Sequence, residues 1–134
     1  MTVRAVLDAK TMGGTEVVTI APDALVIEAA QLLARHRIGA VPVIEAGRLV
    51  GILSERDIVR ALARSAAALG TARVRGLMTA DVFVARETDS LDDVLELMST
   101  KRIRHLPVIG SDGAVIGIVT LGDVAWAREA ALEG

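Results

Sequence analysis

Apolar residues in this chain follow a fixed series of periods, and the series occurs twice. Val26, Ala29, Ala30 and Leu33 are answered 65 residues later by Leu91, Val94, Leu95 and Met98, and the i, i+3, i+4, i+7 spacing predicts a helix with one buried face in each copy. Ahead of these helices lie short β-branched runs, Val17-Val18-Thr19-Ile20 and Val82-Phe83-Val84, which predict strands, with Asp23 and Thr88 placed to act as N-caps. Behind them come two continuous apolar runs, Val41 to Ile44 and Leu49 to Leu53, joined by Glu45-Ala46-Gly47-Arg48; the second copy has Gly110-Ser111-Asp112-Gly113 as its turn. Each pair predicts a β-hairpin. A closing helix is expected from about Glu55 to Leu69, stopped by Gly70, and from about Leu121 to Leu132. The order in each copy is therefore β-α-β-β-α.

Residue identities confirm the duplication. Arg37-Ile38-Gly39-Ala40-Val41-Pro42-Val43-Ile44 aligns with Arg102-Ile103-Arg104-His105-Leu106-Pro107-Val108-Ile109 at an offset of 65, with five of eight positions identical. Leu49 to Asp57 matches Val115 to Asp123 at an offset of 66, the extra residue falling in the turn. Val3-Arg4-Ala5-Val6-Leu7 echoes Val74-Arg75-Gly76-Leu77-Met78 at 71, so the first copy carries six more residues around Met12-Gly13-Gly14-Thr15. The expected division is residues 1–70, with a core at 15–65, and residues 71–134, with a core at 78–132. One copy alone leaves a sheet face uncovered, whereas two packed about a pseudo-twofold axis bury it, which gives an α/β module of two repeats. The segment from Ser65 to Arg75 is short and reads as partly helical, so no loose hinge is expected.

Composition narrows the function. Phe83 and Trp126 are the only Phe, Tyr or Trp residues, so a platform for stacking single-stranded nucleic acid is missing. A formal charge of −2 gives no basic field for a phosphate backbone or an anionic membrane, so neither nucleic acid nor membrane is an expected partner. With no cysteine there is no disulfide framework and no thiolate site; with no signal-like start and no long apolar run, a cytoplasmic protein is expected. His36 and His105 are the only histidines and show no metal-ligand spacing. Neither a Gly-x-Ser-x-Gly elbow nor a Walker-type phosphate loop occurs, so no catalytic activity and no catalytic cofactor are expected.

The doubled pattern Arg-Ile-x-x-hydrophobic-Pro-Val-Ile, turn, Gly-Ile-hydrophobic-(Ser/Thr)-x-x-Asp resembles the cystathionine-β-synthase (CBS) repeat over nearly the whole chain. The resemblance implies a Bateman module, a pair of repeats that commonly dimerises and senses AMP, ADP, ATP, NAD(H) or S-adenosylmethionine, with AMP the first expectation here. It implies a regulatory, signal-transducing role exercised in trans on an effector protein, since no effector domain fits in the remaining residues. A rival reading is a dimerising scaffold whose clefts hold no ligand, and a third is an enzyme acting on a nucleotide.

The residues support a ligand site on their own chemistry. Gly51-Ile52-Leu53-Ser54-Glu55-Arg56-Asp57 and Gly117-Ile118-Val119-Thr120-Leu121-Gly122-Asp123 each put a hydroxyl where a strand becomes a helix. Free amides of the first helical turn beside it can hold an anion, and an aspartate one turn on can accept both hydroxyl protons of a ribose. Ser54-x-x-Asp57 and Thr120-x-x-Asp123 also read as capping boxes, although a box prefers Glu or Gln over the shorter Asp. The glycine opening each motif lets another group approach the strand closely.

The resemblance builds each cleft from both repeats. One is expected to join Ile118, Thr120 and Asp123 to Ile38 and Gly39; the other joins Ile52, Ser54, Arg56 and Asp57 to Ile103 and Arg104. Arg104, matched by Gly39 in the other copy, and Arg56 are the expected phosphate contacts, because a guanidinium suits bidentate phosphate binding. Against this stand plainer readings: the isoleucines as ordinary core, the arginines as solvated charge.

Overall fold

The structure, a computed structural model, describes residues 1–11 and 17–133, and the Met12-Gly13-Gly14-Thr15 insertion lies outside them. Its helices are α1 (Val3–Thr11), α2 (Val26–His36), α3 (Glu55–Arg64), α4 (Ala66–Leu69), α5 (Val74–Leu77), α6 (Leu91–Lys101) and α7 (Leu121–Glu133). The strands are β1 (Ala40–Glu45), β2 (Arg48–Ser54), β3 (Ala85–Arg86), β4 (His105–Ile109) and β5 (Val115–Thr120). The mixed α/β order repeats as the periodicity predicts, α2-β1-β2-α3 and α6-β4-β5-α7.

The chain divides into two compact units, but not at residues 70 and 71. One unit is Val18–Val82; the other combines Met1–Val17 with Phe83–Gly134. The two units are not the two sequence repeats, because the segments that precede each copy are exchanged. Val3, Val6 and Leu7 of α1 are buried in the core of the second repeat with Val94, Met98, Leu106, Val119 and Val124. Val74 of α5 is buried in the core of the first with Ala29, Leu33, Val41, Val43 and Leu53. Burial of these apolar side chains, worth about 1.5–3 kcal/mol for each large one, outweighs sequence proximity in deciding which repeat a segment joins.

In the first-repeat unit β1 and β2 form an antiparallel hairpin closed by Ala46 at φ 52° and Gly47 at φ 77°. Positive φ at both central residues matches the twist of the flanking strands. The run Val17 to Ile20 is not a full strand: only Ile20 is bridged, its N–H donating to Pro42 O (3.1 Å) while Ile44 N–H donates to Ile20 O (2.9 Å). On the outer side of β2, Ile52 exchanges two backbone bonds with Thr79, at 3.0 and 2.9 Å. Arg75 ties the start of this segment down through Asp23 Oδ1 (3.4 Å) and an ion pair with Glu45.

The second-repeat unit has a three-stranded sheet in the order β3-β4-β5, β3 parallel to β4 and β4 antiparallel to β5. Here the paired residues are Ala85 and Arg86, so the strand lies just beyond the expected Val82 to Val84. Both hairpins carry a register shift at the same place, Val43/Ile44 and Val108/Ile109.

Helix ends depart from expectation in three places. Leu25, not Asp23, precedes α2; it lends no side-chain cap, and Val26 N–H is satisfied by Ala72 O at 2.9 Å instead. Ser90, not Thr88, caps α6, its Oγ accepting from Asp93 N–H at 3.1 Å. The first closing helix breaks at Ser65, which turns extended (φ −162°) and caps α4 with its own hydroxyl. At the C-termini of α2 and α6, Arg37 (φ 54°) and Arg102 (φ 55°) adopt the left-handed conformation, and Ile38 and Ile103 N–H close the ends onto Leu33 O and Met98 O. The repeated arginines that open the matched octets are thus helix-terminating residues.

Candidate functional site

Where β2 runs into α3, Ser54 is the N-cap and forms a complete capping box with Asp57. Ser54 N–H and Oγ–H donate to Asp57 Oδ2 at 2.9 and 3.0 Å, and Asp57 N–H donates to Ser54 Oγ at 3.3 Å. Where β5 runs into α7 the arrangement recurs: Thr120 N–H donates to Asp123 Oδ2 and Asp123 N–H donates to Thr120 Oγ1, both at 3.0 Å. The capping reading of both motifs is therefore correct. Asp is long enough to reach back because the donor is the N-cap's own amide N–H. The cap leaves each carboxylate able to accept further donors, since it has roughly four lone-pair positions.

The glycines that open the motifs do admit a close neighbour, and the neighbour is the exchanged segment. A Cβ on Gly51 would stand 2.6 Å from Met78 Sδ and 3.0 Å from Thr79 O; one on Gly117 would stand 2.7 Å from Leu7 Cδ2. Met78 and Leu7 are the matched ends of the two preceding segments, so the sheet glycines exist to seat those segments.

The remaining expected site residues fall as follows. In the first-repeat unit Ile38 packs against the core, Ile52 is half-buried, and Gly39 O accepts from Glu55 N–H at 2.9 Å, which ties the start of β1 to the head of α3. In the second-repeat unit Ile103 packs against the core, Ile118 is half-buried, and Arg104 O accepts from Leu121 N–H at 2.9 Å in the same way. Arg56 and Arg104 are exposed, and among the described residues neither joins an ion pair. The core reading thus fits Ile38 and Ile103 better than Ile52 and Ile118.

One residue at the site escaped the motif reading. Lys10, in the last turn of α1, places its ammonium 2.7 Å from Asp123 Oδ2 and donates to Ile118 O at 2.9 Å. Burial alone raises the Asp123 carboxyl, but the Lys10 ammonium together with the Thr120 amide and hydroxyl outweighs it and holds the group below the ordinary carboxylate range. The only sequence signal for this contact was the echo of Val3 to Leu7 in Val74 to Met78, which ends before Lys10.

Each unit also has a cavity. About 380 Å³ opens between α2 and α3, lined by Ala30, Leu33, Ile38, Gly39, Ile58 and Val59 among others. Another of about 300 Å³ lies between α1 and α7, lined by Ala5, Val6, Ala9, Trp126 and Ala127, with Lys10 and Asp123 in its wall. Among the described residues no cluster of His, Cys, Asp and Glu could hold a metal ion, and no helix is long and apolar enough to cross a membrane.

Comparison with known proteins matches the CBS domain model at residues 10–64 and 74–129. The CBS domain-containing protein YhcV of Bacillus subtilis is 38% identical over 112 residues, covering 83% of this chain and 78% of its own. The inosine-5'-monophosphate dehydrogenase of Methanocaldococcus jannaschii is 34% identical over 128 residues, which is 95% of this chain but 25% of the enzyme. Among solved structures, the CBS-domain protein ATU1752 of Agrobacterium tumefaciens superposes with a TM-score of 0.85 at 40% identity, covering 96% of this chain and 99% of its own. The CBS pair of protein MJ0100 in complex with 5-methylthioadenosine and S-adenosyl-L-methionine gives 0.78 at 28% identity, covering 97% of each. CBSX2 of Arabidopsis thaliana in complex with AMP gives 0.72 at 31%, covering 85% of this chain and 88% of its own.

Proposed function

The chain belongs to the CBS-domain family, and we propose that it is a non-catalytic regulatory module that binds an adenine nucleotide, AMP foremost, and signals its presence to a partner protein. The observation that carries this is the hydroxyl–aspartate junction built twice, at Ser54/Asp57 and Thr120/Asp123, each at the head of a helix whose first amides face the same end. Two similar proteins bind adenosine-containing ligands, AMP in one and S-adenosyl-L-methionine with 5-methylthioadenosine in the other. The dehydrogenase supports the accessory role, because the likeness spans only 25% of that enzyme.

In this proposal Ile118, Thr120 and Asp123 take one nucleotide at the head of α7. Ile52, Ser54, Arg56 and Asp57 take another at the head of α3, and Ile38, Gly39, Ile103 and Arg104 are the further expected contacts. The aspartates accept the ribose hydroxyls, the half-buried Ile52 and Ile118 contact the base, and Arg104 with Arg56 takes the phosphate. Arg104 stands where the first copy has Gly39, so the two copies differ in the charge that they offer a phosphate. Exposed Val59 and Leu62 on α3 and Trp126 and Leu132 on α7 give both closing helices apolar surface for a second copy, so the acting form is a homodimer.

Titration calorimetry with AMP, 2'-deoxy-AMP and adenosine tests the site. AMP at 100 times its Kd is expected to add about 2.7 kcal/mol of stability. Removing the 2'-hydroxyl is expected to weaken binding by about 1–3 kcal/mol. Arg104→Ala is expected to cost AMP, but not adenosine, about 1.5–3 kcal/mol at one of two sites. Equal affinity for AMP and its 2'-deoxy analogue removes the aspartates from the site; no stabilisation by AMP, ADP, ATP, NADH or S-adenosylmethionine favours the scaffold reading, in which Asp57 and Asp123 are caps alone. A monomer mass by light scattering at micromolar concentration refutes the dimer.

A further inference from the structure

The two aspartates differ in one respect that the repeated motif does not foretell. Asp57 accepts only from Ser54 among the described residues, whereas Asp123 shares its Oδ2 between Thr120 N–H at 3.0 Å and the Lys10 ammonium at 2.7 Å. The same lysine donates to Ile118 O at 2.9 Å. In the first repeat the matching carbonyl, Ile52 O, accepts from the backbone N–H of Thr79 at 2.9 Å. A rotatable ammonium thus does in the second-repeat unit what a fixed peptide amide does in the first. Both side chains are about one-third exposed, 33% for Lys10 and 31% for Asp123, and they border a cavity of about 300 Å³ whose wall includes Trp126.

We propose that Lys10 is a specificity-determining residue that makes the Asp123 site select phosphorylated ribonucleosides over uncharged ones; this rests on the reading of Asp123 as the ribose acceptor. A ribose diol held with one hydroxyl on each carboxylate oxygen needs a lone pair of Oδ2, and both are taken, by the fixed Thr120 N–H and by the Lys10 ammonium. A ligand must displace the ammonium from Asp123 Oδ2. An uncharged nucleoside leaves that partly buried ammonium without its anion, a loss the new hydroxyl contacts must offset. A phosphorylated ligand brings its own anion, and the flexible four-carbon stem lets the ammonium swing from carboxylate to phosphate while its tether keeps it at the site. Lys10 thus brings a positive charge to the Asp123 site from within its own unit, as an ammonium that can exchange between carboxylate and phosphate.

The test uses the full chain carrying Asp57→Asn, which weakens the other cleft, with the single tryptophan, Trp126, as reporter because it lines the cavity shared by Lys10 and Asp123. AMP and adenosine are titrated against this background, alone and with Lys10→Met or Lys10→Arg. Lys10→Met is expected to tighten adenosine and weaken AMP, so that the AMP-to-adenosine preference falls about tenfold or more, a change of about 1.4 kcal/mol. Lys10→Arg, which keeps the charge, is expected to retain most of the preference. An unchanged ratio with AMP still bound, or equal weakening of both ligands, overturns the assignment of Lys10 while leaving the ribose site standing. If Asp123→Asn leaves AMP affinity unaltered, or AMP does not bind at all, the ribose reading fails and the proposal falls with it.

Discussion

Substituting the two sheet glycines by alanine should give unequal results, and the inequality can be worked out from the segments that cover them. At Gly51 a new Cβ meets Met78 Sδ at 2.6 Å, Met78 Cγ at 3.0 Å and Thr79 O at 3.0 Å. The methionine end can turn aside, but Thr79 cannot withdraw, because its N–H and C=O are both bonded to Ile52 next door, at 2.9 and 3.0 Å. At Gly117 the close contact is Leu7 Cδ2 at 2.7 Å, with Cδ1 and Cγ of the same residue at 3.6 and 3.7 Å, and no backbone atom among them. One leucine methyl can rotate away at the cost of some core packing.

Overpacking of this kind costs about 1–3 kcal/mol, and replacing a strand glycine by alanine returns about 0.5–1 kcal/mol. Gly51→Ala should therefore destabilise by about 1–2 kcal/mol, taking the upper part of the clash range, and Gly117→Ala by about 0–1 kcal/mol from its lower part. Urea unfolding followed by circular dichroism reads this directly; at a slope of about 2 kcal/mol per molar the first variant loses roughly 0.5–1 M in midpoint. Equal midpoints, or a greater loss for Gly117→Ala, would refute the account of how the preceding segments are seated on the two sheets.

Ser54→Ala removes the cap hydroxyl of α3 and is expected to cost about 1 kcal/mol in the same assay. Leu53→Ala empties a fully buried position of the first-repeat core and should cost about 2–5 kcal/mol; a loss below 1 kcal/mol by urea titration would contradict its place there. Lys10→Met should lower stability at pH 7 by only about 0.5–1 kcal/mol, since the pair with Asp123 is partly solvated. Because Asp123 is held below its ordinary range when folded, its contribution is complete above the unfolded value of about 3.9 and is lost as pH falls through the lower folded value. The difference between wild type and Lys10→Met should accordingly vanish in acid, and thermal melts from pH 7 to pH 2 that keep a constant gap would show that the ion pair is not its source.

What the sequence displayed was what depends on periodicity. The helical stripe from Val26 to Leu33 and its copy from Leu91 to Met98, the hairpins about Gly47 and Gly113, and the starts of α3 and α7 are each set by neighbours within a few residues in sequence, and all occur as the spacing predicts. What it concealed depends on distant partners. Leu25 replaces Asp23 at the head of α2 because Ala72 O, 46 residues on from Val26, satisfies the first amide. The β-branched run from Val17 to Ile20 has strand propensity throughout, but β1 offers it pairing only at Ile20, where Val43 is the bridge partner. In the closing helix the apolar period runs on to Leu69, yet Ser65 breaks it by capping its own successor, a competition between side-chain and helical hydrogen bonding that hydrophobic spacing does not report.

The exchange of preceding segments is the deepest of these concealed features and bears most on function. An echo between Val3 to Leu7 and Val74 to Met78 shows that two segments are equivalent without showing which repeat each serves. Burial settles that, since Val3, Val6 and Leu7 complete the core under β5 and α7, and Val74 completes the core under β1 and β2. Each hydroxyl–aspartate motif is therefore built from three stretches of its unit: the strand, the helix, and a segment that precedes the other copy. The stretches differ where the strand and helix agree. Met78 and Thr79 lie extended against Ile52, while α1 stays helical past Leu7 and delivers Lys10 to Ile118 and Asp123. A duplicated motif alone would make two equal junctions; the unequal segments laid over it give the two junctions of this chain different neighbours, a peptide amide at Ile52 and an ammonium at Ile118 and Asp123.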